Sequence, residues 1–301
     1  MEQATANQER LADPREADVT LGSVVSLWRY PVKSMLGEEL PLSEITPRGV
    51  LGDRAYALRD NTDGKIASAK NPRKWPRMFE FQAAFTAPVR LGGDLPPVRI
   101  RLPDGTELTN QDANHDEILS QLVGRAVTLE TVGQKTVGQT PSVPAQSTPT
   151  AEEYWPDIEG LDHRDAVTDF DLPQGTFFDC AVVHVLTTGT LDRLRALYPK
   201  GRFEVRRFRP NIVVETPDER EGFVENDWVG RTIQIGDKVL PNVTEPCPRC
   251  VMTTLAQGDL PKDSGILRTA AQHNRVNVGV YAAVLRTGTV RRGDGLRLGA
   301  A

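Results

Sequence analysis

The sequence predicts an α+β fold that is mainly β, with two domains and a few short helices. Short runs of β-branched and aromatic residues recur between turn residues, as at residues 98–102 and the turn at residues 103–106. Apolar residues at helical spacing occur in few places, for example at residues 187–198. The 301 residues suffice for about two domains, and a segment rich in Gln, Thr, Ser and Pro lies near the middle.

The first domain is expected at residues 21–135, after a disordered tail at residues 1–20. Its pattern is typical of a small open β-barrel or sandwich. One helix is expected to begin near Asp112 or Asn114 and to end at Gly124, because apolar residues share one face and glycine ends helices. Strands are predicted at residues 23–30, 52–59, 78–85, 98–102 and 126–132.

A linker or long surface loop is expected at residues 136–153, and the second domain at residues 154–301. Residues 177–186 form a nearly continuous apolar run, which predicts a buried strand with Cys180 and His184 as core residues. Further strands are predicted after Pro210 and at residues 231–236, 276–285 and 291–296, and helices at residues 187–198 and near residues 264–272.

Composition excludes several classes of protein. Hydrophobic residues make up 39% and charged residues 26%, as in globular proteins, and the net charge of −5 argues against binding dominated by nucleic-acid phosphates. Three cysteines are too few for a disulfide framework. Residues 1–20 lack the apolar segment of a secretory signal, and the run at residues 276–285 is too short to span a bilayer. We therefore expect a cytoplasmic protein that binds neither nucleic acid nor membrane.

Two cysteines, Cys247 and Cys250, lie three positions apart with Arg249 between them. Pro246 and Pro248 fix the backbone around Cys247, so a rigid loop is expected rather than a helix. A nearby arginine lowers the pKa of a thiol, and the thiolate is the form that binds metal or attacks.

This loop alone leaves three interpretations open. The cysteines could be ordinary residues near a strand end. They could form half of a zinc site that Cys180 and His184 complete, because structural zinc takes four nitrogen or sulfur ligands. One of them could instead be a single thiolate ligand to the metal of a cofactor.

Donors of hydrogen bonds occur at three predicted strand ends. Lys33 and Ser34 follow the strand at residues 23–30, where a donor pair can hold an anion. Arg54 is expected in a strand, on one face with apolar neighbours, and so to point into an enclosed polar space. Pro210 is expected to hold Arg209 in an extended conformation from which it could bind a phosphate in a bidentate manner. The alternative in each case is an ordinary solvated side chain.

Four motifs occur in a fixed order along the chain: PVKS at residues 31–34, GDR at 52–54, FRPNIV at 208–213 and CPRCVMTT at 247–254. Together with GVY at residues 279–281, this set resembles the MOSC family with its N-terminal MOSC barrel domain. Within that family it is similar to the mitochondrial amidoxime reducing components and their bacterial relatives. The resemblance covers residues 21–299 and implies two β-rich, barrel-like domains.

The resemblance also implies a molybdenum cofactor, in which a pterin dithiolene holds molybdenum and carries a phosphate. It implies that Cys250 is the catalytic protein ligand to molybdenum and that Arg249 lies at the cofactor. The residues that it implies at the phosphate or the pterin are Lys33, Ser34, Arg54, Thr187, Thr188, Arg209 and Asn211.

The activity that the resemblance implies is reduction of small N-oxygenated compounds, such as amidoximes and hydroxylamines, by two-electron removal of oxygen at molybdenum. The electrons would come from an external flavoprotein, ferredoxin-like protein or haem protein. The alternative is a MOSC protein that carries sulfur or delivers the cofactor without turnover. Pro248 and residues 255–259 depart from the family pattern, which affects the rim of the loop and the substrate range.

Overall fold

The computed structural model describes residues 19–131, 147–159, 161, 165–217 and 222–299. Nearly all of the predicted tail and most of the predicted linker lie outside these residues. Within them the chain is mainly β, with four α-helices, as predicted. The helices are α1 (His115–Val123), α2 (Thr188–Leu197), α3 (Val205–Phe208) and α4 (Gly265–Asn274), and 3₁₀ turns lie at Met78–Glu80, Val224–Trp228 and Val251–Thr254.

The strands fall into two groups along the chain. The first group is β1 (Thr20–Arg29), β2 (Glu38–Leu40), β3 (Leu42–Thr46), β4 (Gly49–Val50), β5 (Tyr56–Asp60), β6 (Gln82–Phe85), β7 (Val98–Arg101), β8 (Glu107–Thr109) and β9 (Val127–Thr131). The second group is β10 (Thr150–Trp155), β11 (Ala166–Asp171), β12 (Val183–Thr187), β13 (Ile212–Glu215), β14 (Ile233–Ile235), β15 (Leu240–Pro248), β16 (Asn277–Arg286), β17 (Gly288–Arg291) and β18 (Gly295–Leu298).

The largest sheet has the order β14-β18-β1-β13-β12-β16-β15, and β2 pairs with β1. A bridge between Thr232 and Asn242 brings the two edges together, so the sheet is a nearly closed barrel. Its interior is apolar, with Val24, Leu27 and Val280 among the buried residues. The first strand of the chain therefore lies inside a sheet built mainly from the second half.

A second apolar core lies under the smaller sheets of the first half, β6-β7-β8 and β5-β9. Tyr56, Phe81 and Leu119 are fully buried in it, and Met252 from the cysteine loop packs against the same core. The loop that carries Cys250 thus rests on the first half of the chain, although it belongs to the second.

Local signals predicted the helix ends well. Gly124 ends α1 in the left-handed conformation with φ 73°, which glycine adopts without steric cost. Thr187 caps α2, because its side chain accepts a hydrogen bond from the amide of Thr190 at 3.1 Å. Both features match the sequence expectation.

Two arginines differ from their predicted conformation. Arg54 precedes β5 rather than lying in it, because Asp53 accepts the Tyr30 amide at 2.7 Å and holds a turn before the strand. Arg209 is left-handed (φ 53°) rather than extended: its amide bonds the Val205 carbonyl at 3.2 Å and closes α3. The residue before a proline is biased towards extended conformations, but closure of α3 overrides this bias at Arg209.

Three segments also differ from the predicted strands and loop. Met78–Glu80 is a 3₁₀ turn before β6. The predicted strand at residues 177–186 begins only at Val183, and Cys180 is exposed instead of belonging to the core. Residues expected at the end of the linker form β10, which pairs with β11 from Thr150↔Asp171 to Trp155↔Ala166.

Candidate functional site

One cavity of about 280 Å³ brings most of the predicted site residues together. It lies where the ends of several strands meet. The predicted residues that line it are Lys33, Ser34, Arg54, Arg209, Asn211, Arg249 and Cys250. Four motifs that are far apart in the sequence therefore line a single cavity.

The end of β1 and the start of β5 place three of these side chains next to one another. The Lys33 amide bonds the Tyr56 carbonyl at 2.8 Å, and the Arg54 amide bonds the Tyr30 carbonyl at 2.9 Å. This pairing of short segments fixes Lys33, Ser34 and Arg54 along one side of the cavity.

Three of the lining residues have left-handed backbone conformations. The φ angles are 64° at Ser34, 46° at Arg54 and 53° at Arg209. Residues other than glycine rarely adopt this conformation, because the Cβ atom approaches the backbone. The strained positions therefore coincide with polar side chains that face the cavity, a pattern typical of binding sites.

Lys33 is buried and shares a carboxylate with a second lysine. Its Nζ donates to the Phe177 carbonyl at 2.9 Å and pairs with Asp179. Burial lowers the pKa of Lys33, and Asp179 partly offsets this effect. Lys70 lies 3.6 Å from the other oxygen of Asp179 and also donates to Glu153 at 3.2 Å.

Asp179 is therefore held between two ammonium groups. Burial alone would raise the pKa of its carboxyl, but Lys33 and Lys70 outweigh that effect and hold the pKa far below its usual range. The cavity also contains Arg54, Arg209 and Arg249, so its cations outnumber the carboxylates of Asp179 and Glu153. Its electrostatic character favours an anion.

Arg209 is a buried cation that lies against an aromatic ring. Its guanidinium carbon lies 4.1 Å from the centre of the Tyr30 ring, and Nη1 donates to the Met35 carbonyl at 2.6 Å. No carboxylate among the described residues lies within 4.0 Å of this guanidinium. Burial, and then the nearby Arg54 cation, lower the pKa of Arg209 to about 10. A bound anion would supply the missing counter-charge.

Ser34 and Asn211 differ in what they can offer a ligand. The Ser34 hydroxyl accepts the Ala69 amide at 3.0 Å, which leaves its proton for another acceptor. The Asn211 amide nitrogen donates to the Trp28 carbonyl at 3.3 Å and to Asp53 at 2.8 Å, and its oxygen accepts the His184 amide at 3.1 Å. Asn211 is consequently committed to holding Asp53, the partner of Arg54, in place.

The arginine of the cysteine loop contacts the first cysteine and not the second. Nη1 of Arg249 lies 2.7 Å from Sγ of Cys247, and Nη2 donates to the Phe208 carbonyl at 2.9 Å. The Nε atom of Arg249 is buried and has no hydrogen-bond partner among the described residues. Such an atom is costly to leave unpaired.

Cys250 is half-buried at the cavity wall, directly before the 3₁₀ turn Val251–Thr254. Burial raises the pKa of its thiol to about 11, and the Lys70 cation offsets this only in part. Arg249 does lower the pKa of the Cys250 thiol, as expected, but its guanidinium is turned towards Cys247 and the effect of burial is larger, so the net shift is upward.

The structure does not bring Thr187 or Thr188 to this cavity. The Thr187 hydroxyl caps α2 and donates to the buried carboxyl of Glu225 at 2.6 Å. The Thr188 hydroxyl accepts the Thr216 amide at 3.4 Å. Both hydroxyls serve the fold around α2, so the structure does not place Thr187 and Thr188 with the other predicted cofactor-binding residues.

The zinc interpretation finds no support in the part of the chain that the structure describes. No group of three or more His, Cys, Asp and Glu side chains in that part is arranged to hold a metal. Nε2 of His184 lies 3.0 Å from the Val278 carbonyl, and burial, with the Arg249 cation, lowers the pKa of His184 to about 3. His184 is thus a neutral structural residue.

Sequence reasoning missed several lining residues. Lys70 lies in an irregular segment with no motif, and Tyr154 and Trp155 directly follow the predicted linker at residues 136–153. Asp179 belongs to the nearly continuous apolar run at residues 177–186, whose pattern predicts a buried strand. Only the tertiary arrangement identifies them; the one available signal was a charged residue, Asp179, inside an apolar run.

No helix in the described residues is long and apolar enough to cross a membrane. The MOSC N-terminal beta barrel domain matches residues 21–170, and the MOSC domain matches residues 173–297. The chain belongs to the MOSC family. In this MOSC protein the cavity is lined from both matched regions, with Lys33 and Arg54 from the first and Arg209 and Cys250 from the second.

Curated relatives of this MOSC protein share low identity over most of its length. Mitochondrial amidoxime reducing component 2 from Rattus norvegicus is 24% identical over 265 residues, covering 82% of this chain and 69% of the relative. The protein of the same name from Macaca fascicularis is 24% identical over 243 residues, covering 78% and 67%. Among solved structures, the YUAD protein from Bacillus subtilis is similar at 10% identity and a TM-score of 0.45, covering 93% of this chain and 97% of its own.

Proposed function

We propose that this MOSC protein binds a molybdenum cofactor and reduces small N-hydroxylated compounds with electrons from an external donor protein. The observation that supports this function is one cavity lined both by the thiol of Cys250 and by the phosphate-type donors Lys33, Ser34, Arg54 and Arg209. Names of relatives that refer to amidoxime reduction add support at the level of the family. A cytoplasmic location remains a prediction.

The residues present fit such a cofactor. Arg209 has no carboxylate partner within the described residues, and the buried Nε of Arg249 has no acceptor there. The Ser34 hydroxyl proton is also free for an acceptor. A phosphate group offers several anionic oxygens to such donors, and Cys250 offers the soft sulfur ligand that suits a metal already bound by dithiolene sulfur.

In this function each residue has a defined task. Lys33, Ser34, Arg54 and Arg209 would hold the phosphate, and Cys250 would bind the metal after losing its thiol proton. Asn211 would keep Asp53 and Arg54 in place. The cofactor, once bound, supplies the two-electron chemistry. The protein supplies ligation, orientation and a cavity that limits access to the reacting group.

The test is elemental analysis of the purified protein and of two variants, expressed in a host that makes the cofactor. We expect near-stoichiometric molybdenum in the parent and in Cys180→Ala, whose thiol lines the same cavity, and loss of molybdenum in Cys250→Ala. Turnover of an N-hydroxylated substrate with reduced viologen should follow the metal content.

Other outcomes would replace the proposal. Molybdenum without turnover would indicate a protein that carries the cofactor. Absence of molybdenum with persulfide on Cys250 would indicate a sulfur carrier. Stoichiometric zinc bound through both Cys247 and Cys250 would contradict both the molybdenum-cofactor and the sulfur-carrier interpretations.

A further inference from the structure

Arg207 is fully buried, with 0% of its surface exposed, and lies outside the cavity. Among the described residues, its guanidinium donates only to backbone carbonyls: Nε to Arg202 at 2.8 Å, Nη1 to Thr253 and Leu255 at 3.1 Å each, and Nη2 to Pro261 at 2.8 Å. Burial lowers its pKa. A buried arginine without a carboxylate bonded to it is costly, so its hydrogen bonds to the main chain must compensate for desolvation.

Three of the four acceptors belong to the segment that follows Cys250. This segment, residues 253–261, bonds directly back to the main chain of Cys250: the amide and hydroxyl of Thr253 donate to the Cys250 carbonyl at 3.2 and 3.0 Å. The Thr253 carbonyl is also an acceptor of Arg207. Arg207 therefore holds Cys250 through a single intervening residue.

The other end of this connection is the α3 segment that carries Arg209. Arg207 and Arg209 are in the same helical turn, whose last bond is the Arg209 amide to the Val205 carbonyl. A second brace runs in the opposite direction, because Arg249 of the cysteine loop donates to the Phe208 carbonyl at 2.9 Å. Arg207 thus donates from α3 to the segment that follows Cys250, and Arg249 donates from the cysteine loop back to α3.

We propose that Arg207 is a positioning residue that fixes Cys250 relative to Arg209, and hence the metal ligand relative to the phosphate donor. The role of this positioning in catalysis depends on the proposed function. An exposed network of Arg202, Arg206, Glu204 and Asp259 also joins these segments, but exposed ion pairs contribute little. The buried hydrogen bonds of Arg207 are therefore the main contacts between α3 and the segment that follows Cys250.

Lysine cannot replace Arg207, because one ammonium group cannot reach carbonyls on several sides of a planar guanidinium. The variant R207K should therefore loosen the segment after Cys250 while keeping the positive charge. The matched control is R195K: Arg195 is exposed and donates to the Phe203 carbonyl at 2.8 Å, but it does not contact the segment at residues 253–261. T253V removes the hydroxyl bond to Cys250 without touching Arg207.

The primary measurement is the rate at which iodoacetamide labels each cysteine in protein without cofactor. Trypsin separates the three cysteines, because it cuts after Arg164, Arg193, Lys238 and Arg249, so mass spectrometry reads them individually. Cys180 is exposed and serves as the reference, while Cys247 is buried and reports global unfolding.

We expect labelling of Cys250 to accelerate about fivefold for each hydrogen bond lost in R207K, and to a smaller extent in T253V. The rates at Cys180 and Cys247 should stay at the parent values, and R195K should match the parent throughout. If R207K does not fold, T253V alone must show the selective increase. Unchanged Cys250 rates, or equal increases at Cys247 and Cys250, would overturn the inference.

A second readout links the geometry to the cofactor. In a host that makes the cofactor, R207K should retain about fivefold less molybdenum than R195K at equal protein stability. If the parent itself holds no molybdenum, the proposed function fails, but the labelling result still decides whether Arg207 positions Cys250.

Discussion

Nη1 of Arg249 donates a hydrogen bond to Sγ of Cys247 at 2.7 Å, although Cys250 is the cysteine of this loop that lines the cavity. The two cysteines therefore have different surroundings in spite of their symmetrical spacing around this arginine. Cys247 is fully buried and anchors Arg249, whereas Cys250 is half-buried and open to a ligand. This difference supports assigning the metal to Cys250 and a structural task to Cys247.

Replacing Cys247 should therefore affect stability more than metal binding. In Cys247→Ala, Nη1 of Arg249 loses its acceptor, and we expect a loss of about 1–3 kcal/mol in the free energy of unfolding. Cys247→Ser keeps an acceptor and should lose less. Urea unfolding measures both. Complete loss of molybdenum in Cys247→Ser, with normal stability, would contradict this separation of tasks.

Arg209→Lys should weaken retention of the cofactor. Lysine loses the planar contact with Tyr30 and cannot both donate to Met35 and fork onto a phosphate. We expect about tenfold weaker binding, measured as molybdenum retained during dialysis. Arg206→Lys is the control, because Arg206 lies on the same short helix and contacts Glu204 and Asp259 instead of the cavity. Equal retention in the two variants would argue against a phosphate at Arg209.

The buried carboxyl of Glu225 should make stability depend on pH. Burial raises its pKa, and the hydroxyl donors Thr187 and Thr190 offset this only partly. The unfolded chain releases this proton above about pH 4.3, while the folded protein retains it to higher pH. Stability should therefore fall as pH rises from about 4.3 through the folded pKa.

Glu225→Gln tests this effect, because glutamine mimics the protonated acid and cannot ionise. Its unfolding free energy relative to the parent should increase with pH by up to about 1.4 kcal/mol per pH unit within that window. Denaturation series at several pH values give this difference. A difference that stays constant between pH 4 and pH 8 would show that Glu225 has an ordinary pKa.

Gly279 is a close-packed glycine whose replacement should destabilise the fold strongly. A Cβ atom there would lie 2.3 Å from Nε2 of His184 and 2.6 Å from the Val185 carbonyl, and φ is +82°. We expect Gly279→Ala to destabilise by more than about 4 kcal/mol. Gly230→Ala is the matched control: φ is +79°, but no atom of the described residues would lie within 4 Å of the added Cβ, so about 1–2 kcal/mol of backbone strain is expected. Thermal unfolding of both variants separates the clash from the strain.

The sequence predicted those parts of the fold and site that depend on local chemistry. The Thr187 cap and the Gly124 stop set the ends of their helices within a residue or so. The motif residues Lys33, Arg54, Arg209 and Cys250 do share one cavity. Here a strong resemblance and a physical reason, donors at strand ends, pointed to the same residues.

Tertiary contacts decided the features that sequence reasoning missed. Lys70 reaches Asp179 across the cavity, and nothing near either residue in the chain signals this pairing. The spacing of Arg54 and Tyr56 predicts that they share one face of a strand. The hydrogen bond from the Tyr30 amide to Asp53 instead holds a turn at Arg54, and the strand starts after it. The pKa of Cys250 follows burial, which a neighbouring arginine in the sequence does not reveal.

The left-handed backbone at Ser34, Arg54 and Arg209 bears on how this protein could be redesigned. A sequence chosen only for thermal stability would place glycine or asparagine at such positions. That choice would remove the hydroxyl and both guanidinium groups from the cavity wall. We therefore expect the side chains at these three positions to serve ligand binding more than folding, and stability optimisation of this protein should leave them fixed.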